Sequence, residues 1–160
     1  MKPWRQLAVI AACAVAAALG TYVLKGPPGR LFQCDPVSLK PDEVCLDRIP
    51  KDANVLWVDA RSRAHWKKDG VEKSVLWNLD ETEDMQAFEG ALALAIQEIA
   101  EKSGTPPRVI VYCGDENCGV SRQVAKRIRE LDQELKVSVL RGGWRALNEA
   151  GRTRKSHGSL

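Results

Sequence analysis

At 160 residues the chain has room for one domain with a genuine core and a short extension. Its 24 Lys and Arg against 21 Asp and Glu leave a formal charge of only +3, with no long basic run, which excludes a nucleic-acid-binding arm. Neither a repeat nor a low-complexity tract interrupts it.

Residues 1–25 read as a membrane segment. After Lys2 and Arg5, the stretch from Leu7 to Leu24 is uncharged and almost wholly apolar, and roughly 18–20 such residues suffice to cross a hydrocarbon core. An uncleaved single-pass anchor is the expectation. Alanines 14, 16, 17 and 18 leave open a cleaved signal, and Ile10-Ala11-Ala12-Cys13 a lipidation box. A short stub before an early apolar run points to export of the downstream domain, although Lys25 and Arg30 nearly balance Lys2 and Arg5.

Residues 26–51 form a linker and arm. Gly26-Pro27-Pro28-Gly29 stops the apolar segment, and the polar, proline-punctuated stretch to Lys51 packs on the domain. Cys34 and Cys45 bracket a proline-containing loop. A disulfide would suit an oxidising compartment, and two reduced cysteines in a connector are the alternative.

Strand and helix signals alternate over residues 52–151. Short apolar runs at Asn54–Asp59, Ser74–Trp77, Arg108–Tyr112 and Lys136–Leu140 suit strands. Met85, Phe88, Leu92, Ala95, Ile96 and Ile99 give Asp84–Lys102 a helical stripe, ended by Gly104-Thr105-Pro106-Pro107. Val120, Val124, Ile128 and Leu131 predict the inner face of a second helix, and a short one comes after it around Trp144–Ala150. The pattern predicts an α/β domain with a small, mainly parallel sheet flanked by helices. Residues 152–160, with Arg152, Arg154 and Lys155, read as a solvated basic tail.

In such sheets ligands gather at the carboxyl ends of strands, which directs attention to Asp59, Cys113 and Arg141. Cys113 follows the strongest strand signal and precedes a loop and a helix. Backbone N–H groups there can converge on the sulfur, and the helix N-terminus favours its thiolate. The bland alternative is a structural thiol at a strand end.

Four further segments carry a resemblance. Asp59-Ala60-Arg61-Ser62 is similar to the Asp-x-Arg-[Ser/Thr] signature of rhodanese-like domains. His65-Trp66 through Gly70 to Asn78-Leu79 is similar to the turn and short strand that come next in the family. Val111-Tyr112-Cys113, a loop, then Ser121 and Ala125 resembles the family's active-site strand, loop and helix. Leu140-Arg141-Gly142-Gly143-Trp144 with Gly151 resembles its C-terminal ending. The matches run in order over most of the chain outside the apolar segment.

The resemblance implies sulfane-sulfur transfer between a donor and a thiol acceptor, without a cofactor. Cys113 would be the nucleophile, inside an active-site loop of Gly114, Asp115, Glu116, Asn117, Cys118, Gly119, Val120 and Ser121. Asp59 and Arg61 would support that loop, and Trp144 would pack in the core.

The loop departs from the family pattern in three ways. Its usual Arg position holds Cys118, Ser121 arrives two residues late, and Arg122 is left as the nearest assisting guanidinium. Asp115 and Glu116 disfavour a neighbouring thiolate and repel anionic donors. The related phosphatases and arsenate reductases place Arg where this chain has Gly119, which argues against phosphoryl chemistry. Cys118 could resolve an oxidised Cys113 as a disulfide, or simply fill the loop's inner wall. Cys-x4-Cys is no usual zinc spacing; His65 reads as a turn residue and His157 as a tail residue. Three functions are compatible with these residues: a sulfurtransferase or persulfide carrier, a catalytically silent partner-binding module, or a Cys113/Cys118 thiol switch.

Overall fold

The computed structural model describes residues 32–114 and 119–154, together with Cys13 and Ala14. The expected anchor at Leu7–Leu24 lies outside these residues apart from Cys13 and Ala14, as do Asp115 to Cys118 and the chain from Lys155 onward. Among the described residues no helix is long and apolar enough to cross a membrane.

The elements run β1 (Glu43–Val44), β2 (Val55–Asp59), α1 (Arg63–Asp69), β3 (Val75–Leu76), α2 (Met85–Ser103), β4 (Arg108–Tyr112), α3 (Gly119–Leu131), β5 (Val137–Leu140) and α4 (Gly143–Glu149). The strands form one five-stranded parallel sheet in the order β1-β5-β4-β2-β3. Parallel pairing needs crossovers; α2 and α3 supply two of them on one face, and α4 covers the other.

Strand alternation sorts the core into two layers. Val109, Val111 and Cys113 face the side covered by Phe88 and Leu92 of α2 and by Val124, Ala125 and Ile128 of α3. Ile110 and Tyr112 face the other side, with Val44, Ile49, Leu140 and Leu147. The central strand is therefore buried on both faces, as its unbroken apolar run predicts.

Several expectations need correction. The N-terminal arm does more than pack on the domain, since its Glu43–Val44 pairs with β5 as the edge strand. Cys34 and Cys45 are joined in a disulfide, which settles the two readings of that loop. His65 lies within helix α1 and not in a turn. That helix is too short to display a periodic stripe, so nothing in the pattern marked it. On α3 the inner face is Ser121, Val124, Ala125 and Ile128, while Val120 and Leu131 are exposed. The small Ser and Ala let the helix approach the sheet closely; apolar character alone found Val124 and Ile128 but set Val120 and Leu131 inside in place of Ser121 and Ala125.

The basic tail also differs from expectation at its start. Arg152 donates to the Ile49 carbonyl, Arg154 to those of Gly70 and Trp66, and Thr153 bridges to Val71. Backbone carbonyls at the end of α1 and in the arm recruit these guanidinium groups.

Candidate active site

β4 and α3 place the centre. Cys113 is the first residue beyond β4 and is 3% exposed. Its Sγ accepts a hydrogen bond at 3.3 Å from the hydroxyl of Ser121, which is fully buried in the first turn of α3. Its carbonyl accepts the Trp144 N–H at 2.7 Å, which ties the thiol's backbone to the start of α4. A hydroxyl donor aimed at the sulfur favours the charged, nucleophilic form of the thiol.

A second group of side chains fixes the neighbouring wall. Asp59 ends β2 with no exposure, and Arg61 grips it in a fork, Nε to Oδ1 at 3.0 Å and Nη2 to Oδ2 at 2.9 Å. The Arg61 Nη1 reaches Asp69 at 2.9 Å, and the backbone N–H of Arg61 returns to Asp59. Tyr112 completes the network by donating to Asp59 at 2.7 Å while accepting the Val71 N–H at 3.0 Å. The Arg61 guanidinium also lies 5.3 Å from the centre of the Trp144 ring. The indole Nε1 donates to the Asp69 carbonyl.

Charge follows geometry here. Burial alone would lower the Arg61 pKa, but the hydrogen bonds and charge of Asp59, with help from Asp69, hold it above its ordinary value. Burial, then the Asp59 charge, pushes the Tyr112 hydroxyl well above the usual tyrosine range. Arg61 is thus a cation already committed to two carboxylates, and Tyr112 is a neutral donor at neutral pH.

Beside this network opens a cleft of about 580 Å³, lined by Arg61, Ser62, His65, Lys68, Asp80 and Gly114 among others. Arg61 borders the first residue of the Cys113 loop, since a Cβ on Gly114 would stand 3.7 Å from its Cδ. His65 Nδ1 is hydrogen-bonded to Ser62 Oγ at 2.8 Å. Among the described residues no group of three His, Cys, Asp or Glu is placed to hold a metal ion.

A model of the rhodanese-like domain matches residues 43–150. The chain belongs to the rhodanese-like domain family. The match starts on the first residue of β1, so the edge strand belongs to the rhodanese-like domain. Solved structures similar to it include the BH2092 protein of Bacillus halodurans and a thiosulfate sulfurtransferase of Pseudomonas aeruginosa. The first is 15% identical, with 64% of this chain and 65% of that one covered and a TM-score of 0.43. The second is 19% identical, with 84% and 22% covered and a TM-score of 0.48. The domain therefore spans less than two thirds of either chain. No curated protein matches it.

Of the residues singled out from the sequence, the fold brings Cys113 and Ser121 into contact, and sets Arg61, held by Asp59, beside Gly114. Gly119 opens α3, and Val120 lines the cleft. Arg122 is engaged by Glu43 on β1 at 3.0 Å. Asp115, Glu116, Asn117 and Cys118 lie outside the described residues. Sequence reasoning missed Tyr112 and Asp69 as members of the Arg61 network. Tyr112 is the register partner of Asp59 at two strand ends, a pairing that only strand order reveals.

Proposed function

We propose that this rhodanese-like domain is a sulfurtransferase or persulfide carrier whose nucleophile is Cys113. The observation that carries the reading is the Ser121 hydroxyl set 3.3 Å from the Cys113 sulfur at the carboxyl end of the central strand. Family membership supports the same chemistry. The Cys113 thiolate attacks the outer sulfur of a donor, a new S–S bond forms, and the donor's S–S bond breaks. With thiosulfate the leaving group is sulfite; with an organic persulfide it is a thiolate. An acceptor thiolate then attacks the terminal sulfur of the Cys113 persulfide, takes it, and regenerates the Cys113 thiolate.

Intact-mass measurement after donor treatment tests this. The expected result is an adduct of about 32 Da on the wild-type protein that is absent from Cys113→Ser. No adduct from either thiosulfate or an organic persulfide would overturn it. A reducible Cys113–Cys118 bond in its place would mark a thiol switch, and an inert protein a partner-binding module.

The same proposal sets the domain on the exported side of a membrane, anchored by residues 1–25. The Cys34–Cys45 disulfide supports an oxidising compartment. A reporter active in only one compartment, fused after Leu160, tests the side; activity on the cytoplasmic side would overturn it.

A further inference from the structure

Glu43 opens the edge strand β1, and its side chain is wholly buried. Its Oε1 accepts Arg122 Nη1 at 3.0 Å, its Oε2 accepts the Lys40 N–H at 3.1 Å, and Arg141 Nη1 stands 3.9 Å from that same Oε2. Register explains this convergence. Glu43 is level with Val139, and Val139 with Val111, whose side chain packs on the α3 face of the sheet. Two residues on from that last pair, Cys113 follows β4 and Arg141 follows β5, both at the carboxyl end of the sheet. Arg122 neighbours Ser121, whose hydroxyl meets the Cys113 sulfur. The guanidinium groups of Arg122 on α3 and of Arg141, the first residue after β5, thus both turn to one buried carboxylate.

Building on the sulfur-transfer reading, we propose that Glu43 is a specificity-determining residue that withholds Arg122 and Arg141 from the sulfur donor. A dianion such as thiosulfate must then compete for those cations with a carboxylate that, being buried, depends on them. The wall of the cleft offers no substitute in Arg61, which Asp59 and Asp69 already hold. A monoanionic organic persulfide needs less positive charge and is favoured. Both donors yield the same Cys113 persulfide, with sulfite or a thiolate leaving, so the choice is made in binding.

The substitution Glu43→Gln keeps the size and the hydrogen-bonding oxygen while removing the charge. Thiosulfate binding is measured by titration calorimetry in a Cys113→Ser background, where no turnover interferes. Glu43→Gln is expected to tighten it about tenfold, the worth of one charge-assisted hydrogen bond, and adding Arg122→Gln with Arg141→Gln should abolish that gain. With Cys113 present, kcat/KM for thiosulfate relative to 2-mercaptoethanol persulfide should rise by a similar factor, through KM. Unchanged or weaker thiosulfate binding in folded Glu43→Gln overturns the proposal. If that variant does not fold, Arg122→Gln with Arg141→Gln decides alone. A loss of thiosulfate affinity there would show the arginines already serving the donor and overturn it; no loss supports it. A binding gain without any persulfide adduct would sink the sulfur-transfer reading and leave the gating by Glu43 standing.

Discussion

The Tyr112 hydroxyl sits 2.7 Å from Asp59 Oδ2, with both residues fully buried at paired strand ends. The contact does two tasks at once. It gives the carboxylate a further donor at the Oδ2 that Arg61 Nη2 also reaches, and its oxygen accepts the Val71 N–H. Tyr112→Phe removes both while keeping the ring. A hydrogen bond to a charged buried group is worth about 1.5–3 kcal/mol, so urea unfolding should show a loss of about 2 kcal/mol. A loss near zero would mean that Asp59 is satisfied by Arg61 alone.

The same hydroxyl makes stability fall in alkali. Burial, reinforced by the Asp59 charge, raises its pKa in the folded state above the unfolded value of about 10. The folded chain then holds a proton that the unfolded chain gives up. The contribution is complete below about pH 10 and is lost as pH climbs towards the folded value, at up to about 1.4 kcal/mol per pH unit. Urea midpoints taken between about pH 8 and 11 should therefore drop more steeply for the wild type than for Tyr112→Phe. Parallel curves would contradict the assignment.

Ser121 offers a test of the nucleophile that does not depend on naming a donor. Ser121→Ala deletes the hydroxyl beside the Cys113 sulfur and leaves the α3 packing nearly unchanged. The thiolate loses a donor worth up to about 1.4 kcal/mol, so alkylation of Cys113 by iodoacetamide at neutral pH should slow by up to about tenfold. Ser121→Thr, which keeps the hydroxyl, should retain most of the rate. Equal rates in all three proteins would remove Ser121 from the chemistry.

How far the sequence reveals this site depends on the kind of signal each part sends. Arg108–Tyr112 was legible because a strand buried on both faces is an unbroken apolar run, and Cys113 was legible because it ends that run. Glu43–Val44 was not, since a two-residue strand has no period to read and lies in a polar arm. The inner face of α3 was half visible: Val124 and Ile128 are apolar, but Ser121 and Ala125 are inside for their small size and, at Ser121, for its bond to sulfur. The Arg61 network could be anticipated at Asp59 and Arg61, two residues apart. Tyr112 and Asp69 join it only through sheet order and a helix that the pattern did not announce. Ion pairs such as Glu43 with Arg122 are long-range choices among many charges, and no local rule selects them.

Gly142 should be intolerant of any side chain. Its φ of +81° lies in the left-handed region, and a Cβ there would clash with Cε1 and Cζ of the Phe32 ring. Gly142→Ala incurs the left-handed cost of about 1–2 kcal/mol as well as the displacement of Phe32. Thermal unfolding should show a clear loss, partly relieved in Gly142→Ala with Phe32→Ala. No relief would mean that the backbone alone makes the demand.

The Cys34–Cys45 disulfide anchors the edge strand that carries Glu43. Cys45 is fully buried one residue after β1, and the closed loop contains Lys40, Asp42 and Glu43. Asp42 accepts Arg129 from α3, so the loop also braces that helix. With β1 only two residues long, backbone pairing to β5 is too slight to hold the segment alone. Cys34→Ser with Cys45→Ser should lower stability by about 2–3 kcal/mol, as expected for a loop of this size. Amide hydrogen exchange separates local from global effects: Val139 N–H, which donates to the Asp42 carbonyl, and Arg141 N–H, which donates to that of Val44, should lose protection first. Protection in β4, at Val109 to Tyr112, should fall only with global stability. Exchange rising equally across β4 and β5 would show that the disulfide stabilises the whole domain rather than its edge.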